Sequence, residues 1–144
     1  MRHGEAGEAA RDFDRALTAA GRAQATRSAS ALKRAGAAPA TIWHSPYRRT
    51  EETAQLAAEV FGVRLVMDER LVPGGHGETV ATWLLSERQG GLVVAHMPIL
   101  PAALAALTGA HASFTTAGVA HITVVGGHAT LVGLYTASFL EHVR

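Results

Sequence analysis

No cysteine occurs in the 144 residues, which removes disulfides, thiolate metal ligands and cysteine-nucleophile phosphatase chemistry together. Lysine is almost as scarce: Lys33 stands alone among 13 basic residues, and the rest are arginines. They form no run, and the formal charge is +1, so the chain carries neither a nucleic-acid nor a membrane footprint. No apolar stretch reaches the roughly 20 residues of a membrane span, and Met1-Arg2-His3-Gly4-Glu5 holds no signal core. A cytoplasmic protein is expected. Among the eight histidines neither His-x-His nor His-Glu-x-x-His spacing occurs, so no metal and no cofactor is expected. His44, His111, His121, His128 and His142 read as surface or satisfied polar positions.

The length suits one domain over residues 1–144 and one site. Helical spacing runs from Thr18, an N-cap type, to Arg34 before Gly36. Thr41 to His44 is a short β-prone run that feeds into Ser45-Pro46, read as an N-cap and first helical position. That helix extends to Phe61 with Thr53, Leu56, Ala57 and Val60 on one face, and Gly62 ends it. A strand is expected over Val63 to Met67, a loop over Asp68 to Gly77, and a helix over Glu78 to Glu87. Leu92-Val93-Val94-Ala95 reads as a buried parallel strand, followed by a helix over Pro98 to Leu107. Ala117 to Val125 and Ala129 to Tyr135 flank Gly126-Gly127-His128, the turn of an antiparallel pair, and a short helix closes the chain. The alternation predicts a three-layer α/β/α sandwich, a mostly parallel sheet with an antiparallel edge hairpin.

In such sheets ligands sit beyond the carboxyl ends of the strands. Two strand-to-helix junctions carry polar residues there: His44-Ser45-Pro46-Tyr47-Arg48-Arg49, and Ala95-His96-Met97-Pro98. A helix N-terminus favours an anion at such a place. Arg2-His3-Gly4 at the start of the chain supplies a third piece. These segments resemble the signature of the histidine phosphatase, or phosphoglycerate-mutase-like, superfamily. Arg2-His3-Gly4 resembles its Arg-His-Gly triplet, Ser45-Pro46-Tyr47-Arg48 with Thr50 and Thr53 its Ser-Pro-x-Arg segment, and His96 its second histidine. Within it the chain is similar to the short SixA-like phosphohistidine phosphatases. Asp14-Arg15-Ala16-Leu17-Thr18 with Gly21 resembles that branch's Arg-Pro-Leu-Thr-x-x-Gly, and His96-Met97-Pro98 its His-x-Pro. The superfamily places an apolar strand before its Arg-His-Gly. Here Met1 alone precedes Arg2, so that first strand is expected to be absent.

The resemblance implies His3 as a phosphate-accepting nucleophile, with Arg2, Arg48 and His96 around it and Arg15 as a further phosphate contact. An imidazole attacks phosphorus as the neutral base, so one ring nitrogen of His3 must be exposed while the other is held as N–H. In the superfamily a backbone carbonyl holds it. Arg2 and Arg48 would clamp the phosphoryl oxygens and a protonated His96 would add a donor, which leaves nothing for a divalent metal to neutralise.

A proton donor is harder to find. Met97 fills the place after His96 where other branches carry an acid, leaving His76 or Glu78, near the middle-strand insertion of others, as candidates. A phosphorylated imidazole protonated on its second nitrogen leaves as neutral imidazole and tolerates a site without an acid. The leading expectation is therefore a metal-independent phosphatase acting on protein phosphohistidine, its partner a phosphohistidine-bearing domain. The alternatives are a phosphomonoesterase acting on a small phosphate ester, and a non-catalytic phosphate-binding module. Arg49 reads as a solvated helix residue, Ser45 as an N-cap, and Trp43 and Trp83 as core aromatics.

Overall fold

A computed structural model describes residues 1–87 and 90–142. Helix α1 (Ala19–Arg34) opens on Thr18, whose Oγ1 accepts the Gly21 N–H at 3.0 Å. Its buried face is Gly21, Ala25, Ser28, Ala29 and Ala31, small side chains that let it lie close against α2 (Arg48–Phe61). Between them runs β1 (Thr41–His44). Helix α2 ends on Gly62, which takes a left-handed conformation (φ 73°) and donates its N–H to Ala58 O, the stop that its lack of a Cβ permits. Strand β2 (Leu65–Met67) starts later than expected because Val63 and Arg64 still leave this cap. The expected loop contains a 3-10 turn, Glu69–Leu71, before α3 (Gly77–Ser86), β3 (Gly91–Val94) and α4 (Ile99–Thr108).

Strands pair in the order β2-β1-β3, all parallel, with Ile42 opposite Leu65 and Leu92. Alternation along the strands divides the core between the faces. Ile42 and Val94 pack with Ala25, Ala29, Ala54 and Ala57 of α1 and α2. Trp43, Val93 and Ala95 face Val80, Ile99 and Leu104 of α3 and α4. This is the expected three-layer sandwich.

Strands β4 (Val119–Val125) and β5 (His128–Tyr135) form the expected antiparallel hairpin, closed by Gly126 and Gly127 at φ 59° and 79°. They form their own two-stranded sheet. Residues 1–3 join it to the parallel sheet. Met1 O accepts from Ala95 N, His3 N donates to Ala95 O, Arg2 N donates to Gly118 O, and Ala117 N donates to His3 O. An apolar cavity of about 340 Å³ is lined by Met1, Trp43, Leu92 and Val93 on one side and Ile122 and Val124 of the hairpin on the other. Helix α5 (Ala137–Leu140) packs on α1. Among the described residues no helix is long and apolar enough to cross a membrane.

Candidate active site

Backbone bonds on both sides hold His3 where the N-terminal segment meets the carboxyl end of β3. The next residue, Gly4, has no room for a side chain: a Cβ there would lie 2.4 Å from Gly21 O. Its amide donates to Thr53 Oγ1 at 3.0 Å and its carbonyl accepts from His3 Nδ1 at 2.7 Å. That second bond fixes the tautomer, since a carbonyl accepts only from N–H. His3 Nε2 then carries the lone pair, and Arg49 Nε donates to it at 3.3 Å. Burial pushes the His3 pKa down to about 4, opposed by the Gly4 bond and helped by the charges of Arg49, Arg2 and Arg15. The ring is neutral at pH 7, the form an attacking imidazole requires.

Arg49, expected as a solvated residue, is instead buried at 5% exposure. Helix α2 explains the reversal. Its N-cap is Tyr47 and its first residue Arg48, so Arg49 lies one turn before Thr53 on the inward face. Besides His3, its guanidinium donates from Nη1 to Asp12 O at 2.8 Å and from Nη2 to Asp12 Oδ2 at 3.2 Å. Arg48, expected at the phosphate, lies on the outer face, where its Nε donates to Glu52 Oε1 at 2.9 Å.

Ser45 is likewise not the helix cap. Its Oγ accepts the Tyr47 N–H at 3.2 Å and lies 2.8 Å from His96 Nε2. With the serine accepting from the backbone, its own proton can go to His96 Nε2, an arrangement that leaves the imidazole hydrogen on Nδ1. That Nδ1 is buried without a hydrogen-bond partner among the described residues. The two histidine rings meet edge to face at 5.4 Å. Burial, then the charge of Arg49, lowers the His96 pKa to about 3, against the pull of Asp12. His96 is therefore neutral in the free protein, not the cation expected, yet can still donate through Nδ1.

Arg2 donates from Nη1 to Phe114 O at 2.8 Å, and its Nε is buried without a partner among the described residues. Burial and the nearby Arg49 both lower its pKa. Arg15 Nε donates to Gly7 O at 2.8 Å and Nη1 to Asp12 Oδ1 at 3.1 Å. Two expected donors facing no partner among the described residues, and several guanidiniums acting on one imidazole, make this place favourable to an anion. The chemistry available is nucleophilic attack by a neutral imidazole on a group whose negative charge these donors would hold.

His76 and Glu78, proposed from sequence as proton donors, are exposed at the start of α3, and among the described residues neither bonds to His3, Arg2, Arg49 or His96. No group of three or more metal-ligating side chains occurs among the described residues. Besides Arg49 and Ser45, sequence reasoning missed Asp12, which joins Arg15 to Arg49, and Tyr47. The Tyr47 ring lies 5.0 Å from both His96 and Phe13, with the Arg49 guanidinium 5.0 Å from its centre.

A family model for the histidine phosphatase superfamily (branch 1) matches residues 1–79. No curated protein is a significant sequence match. Among solved structures the fold is similar to the protein histidine phosphatase SixA complexed with tungstate (TM-score 0.90, 26% identity, covering 96% of this chain and 95% of that one). It is also similar to the protein assigned as phosphohistidine phosphatase SixA in Agrobacterium tumefaciens (TM-score 0.81, 26% identity, 94% of each chain). The phosphoserine phosphatase of Entamoeba histolytica in complex with 3-phosphoglyceric acid shares the fold at 19% identity (TM-score 0.76, 96% of each chain).

Proposed function

Because this phosphohydrolase belongs to the histidine phosphatase superfamily, we propose that it removes the phosphoryl group from protein phosphohistidine. His3 Nε2 attacks phosphorus, the bond from phosphorus to the substrate imidazole breaks, and that imidazole departs neutral with its proton on the other nitrogen. Water then attacks the phosphorylated His3, and phosphate leaves with the water proton, regenerating the neutral ring. Arg2 and Arg49 hold the equatorial oxygens, Arg15 adds charge at the rim, and His96 donates from Nδ1. Throughout, Gly4 O keeps the proton on His3 Nδ1.

The observation that carries the choice of substrate is the state of Asp12. Its hydrogen bond from Arg15, and then the bond and charge of Arg49, hold its pKa below the ordinary carboxylate value against the opposing effect of burial. In the free protein that carboxylate is thus ionised at neutral pH and holds no proton for a leaving alkoxide. A protonated phosphoimidazole needs no such donor. The relatives described as phosphohistidine phosphatases support the same reading.

The test is incubation with a labelled phosphohistidine domain and with p-nitrophenyl phosphate, without metal, comparing wild type with His3→Ala. The expected result is label lost from the domain faster than ester is hydrolysed, and both abolished by the substitution. Ester turnover that exceeds phosphohistidine turnover and collapses in Glu78→Gln or His76→Gln would establish the small-ester reading instead. Binding of phosphate without turnover would make the domain a binding module.

A further inference from the structure

Arg49 has five N–H groups in a fixed fork, and three of them are engaged in the free protein: Nε on His3 Nε2, Nη1 on Asp12 O and Nη2 on Asp12 Oδ2. The first of these occupies the lone pair with which His3 would attack. Of the other two, Nη1 binds a main-chain carbonyl and Nη2 a carboxylate oxygen, the charged kind that a phosphoryl group would present. Asp12 reaches Arg49 from a 3-10 turn, Asp12–Asp14, across 37 residues of sequence. Its other carboxylate oxygen accepts from Arg15.

We propose that Asp12 is a positioning residue that fills the phosphate clamp as an internal anion, holding Arg49 across the nucleophile until a phosphoryl group displaces the carboxylate. The inference rests on the reading of this site as a phosphate site. Incoming phosphate offers Arg49 and Arg15 oxygens of higher charge than a carboxylate, and it sits over His3. As the guanidinium turns from Asp12 and His3 to the phosphoryl oxygens, the Nε2 lone pair is uncovered in the same movement. On product release the carboxylate closes back and competes with free phosphate. The Asp12 side chain is 56% exposed, so the exchange needs no opening of the core.

The test is calorimetric titration of the free protein with inorganic phosphate and with tungstate at pH 7.5. Wild type, Asp12→Asn, Asp12→Ala and Asp12→Glu are compared, each checked for unchanged melting. Removing an exposed competing ion pair, worth up to about 1 kcal/mol, predicts anion binding about two- to fivefold tighter in Asp12→Asn and Asp12→Ala. Asp12→Glu, which restores the charge, returns affinity toward wild type. A residue that merely propped Arg49 in place would give the opposite sign. Equal or weaker binding in both neutral variants therefore overturns the proposal while leaving the phosphate site standing. Failure of wild type and every variant to bind either anion overturns both.

Discussion

Arg48 and Arg49 are adjacent in sequence, yet their side chains are 57% and 6% exposed, and replacing each by alanine should separate their roles. A guanidinium about 4 Å from a phosphoryl charge, at an effective dielectric of about 20, is worth about 4 kcal/mol. At about 1.36 kcal/mol per tenfold this corresponds to a loss of roughly a thousandfold in kcat for Arg49→Ala. Arg48 meets Glu52 at i,i+4 on the solvent face, an arrangement worth about 0.3–0.5 kcal/mol of stability. Arg48→Ala should therefore change kcat by less than about twofold. Single-turnover phosphoryl transfer to His3, followed by quench, reads the chemical step without product release. Because Arg49→Ala leaves Asp12 with Arg15 as its remaining partner, melting curves accompany the kinetics, and Arg49→Lys keeps a charge in place. Lysine lacks the fork that reaches His3 and phosphate together, so it should recover less than about a tenth of the activity. A large loss in Arg48→Ala with little in Arg49→Ala would refute the assignment of the clamp and the helix phase on which it depends.

Two further outcomes follow from the same geometry. Ser45→Ala removes the partner of His96 Nε2 and frees the ring to take the other tautomer, so kcat should fall about ten- to a hundredfold with KM little changed, measured on the phosphohistidine domain. His3 and His96 are buried neutral, with pKa values about 4 and about 3 against 6.5 for the exposed group. The unfolded chain therefore binds protons first as pH falls. Their contribution to stability is fully present above pH 6.5 and is lost progressively as pH drops through about 4 and then about 3. For His3 the fall from 6.5 to about 4 corresponds to about 3 kcal/mol. Urea unfolding between pH 8 and pH 4 should show that loss, and His3→Gln should reduce it; a flat profile would contradict the burial argument.

Much of the fold was legible because local signals agreed with packing. Thr18 caps α1 as its type suggests, Gly62 ends α2 in the left-handed region, and the two glycines of the hairpin take the positive φ that such a turn requires. Gly21, noticed through a family resemblance, has a packing cause: a Cβ there would lie 2.0 Å from Glu5 O. The helix seats against the very loop that carries His3 and Gly4, so α1 and the nucleophile are placed together. Separation of the hairpin from the parallel sheet was not legible, since strand neighbours depend on which edges meet across the chain and not on local pattern.

The site was legible by segment and illegible by phase. Sequence reasoning chose the correct junction after β1 but began the helix at Pro46, whereas it begins at Arg48. One residue turns a helical position by about 100°, enough to exchange a buried arginine for an exposed one. The correcting signal was already present in the apolar face assigned to Thr53, Leu56, Ala57 and Val60, because Arg49 stands four residues before Thr53 and shares its side. Thr53 even binds the backbone carbonyl of Arg49 at 2.7 Å while accepting the amide of Gly4 at 3.0 Å. The side chain that orients the loop beside the nucleophile is therefore stacked directly on the turn that delivers the clamp. Asp12 had no comparable signal, since it lies outside the segments that carried the site, just before Asp14-Arg15-Ala16-Leu17-Thr18, and only tertiary folding brings its carboxylate to Arg49. Helical period can recover the positive half of the clamp; its internal anion depends on a contact that no local rule encodes.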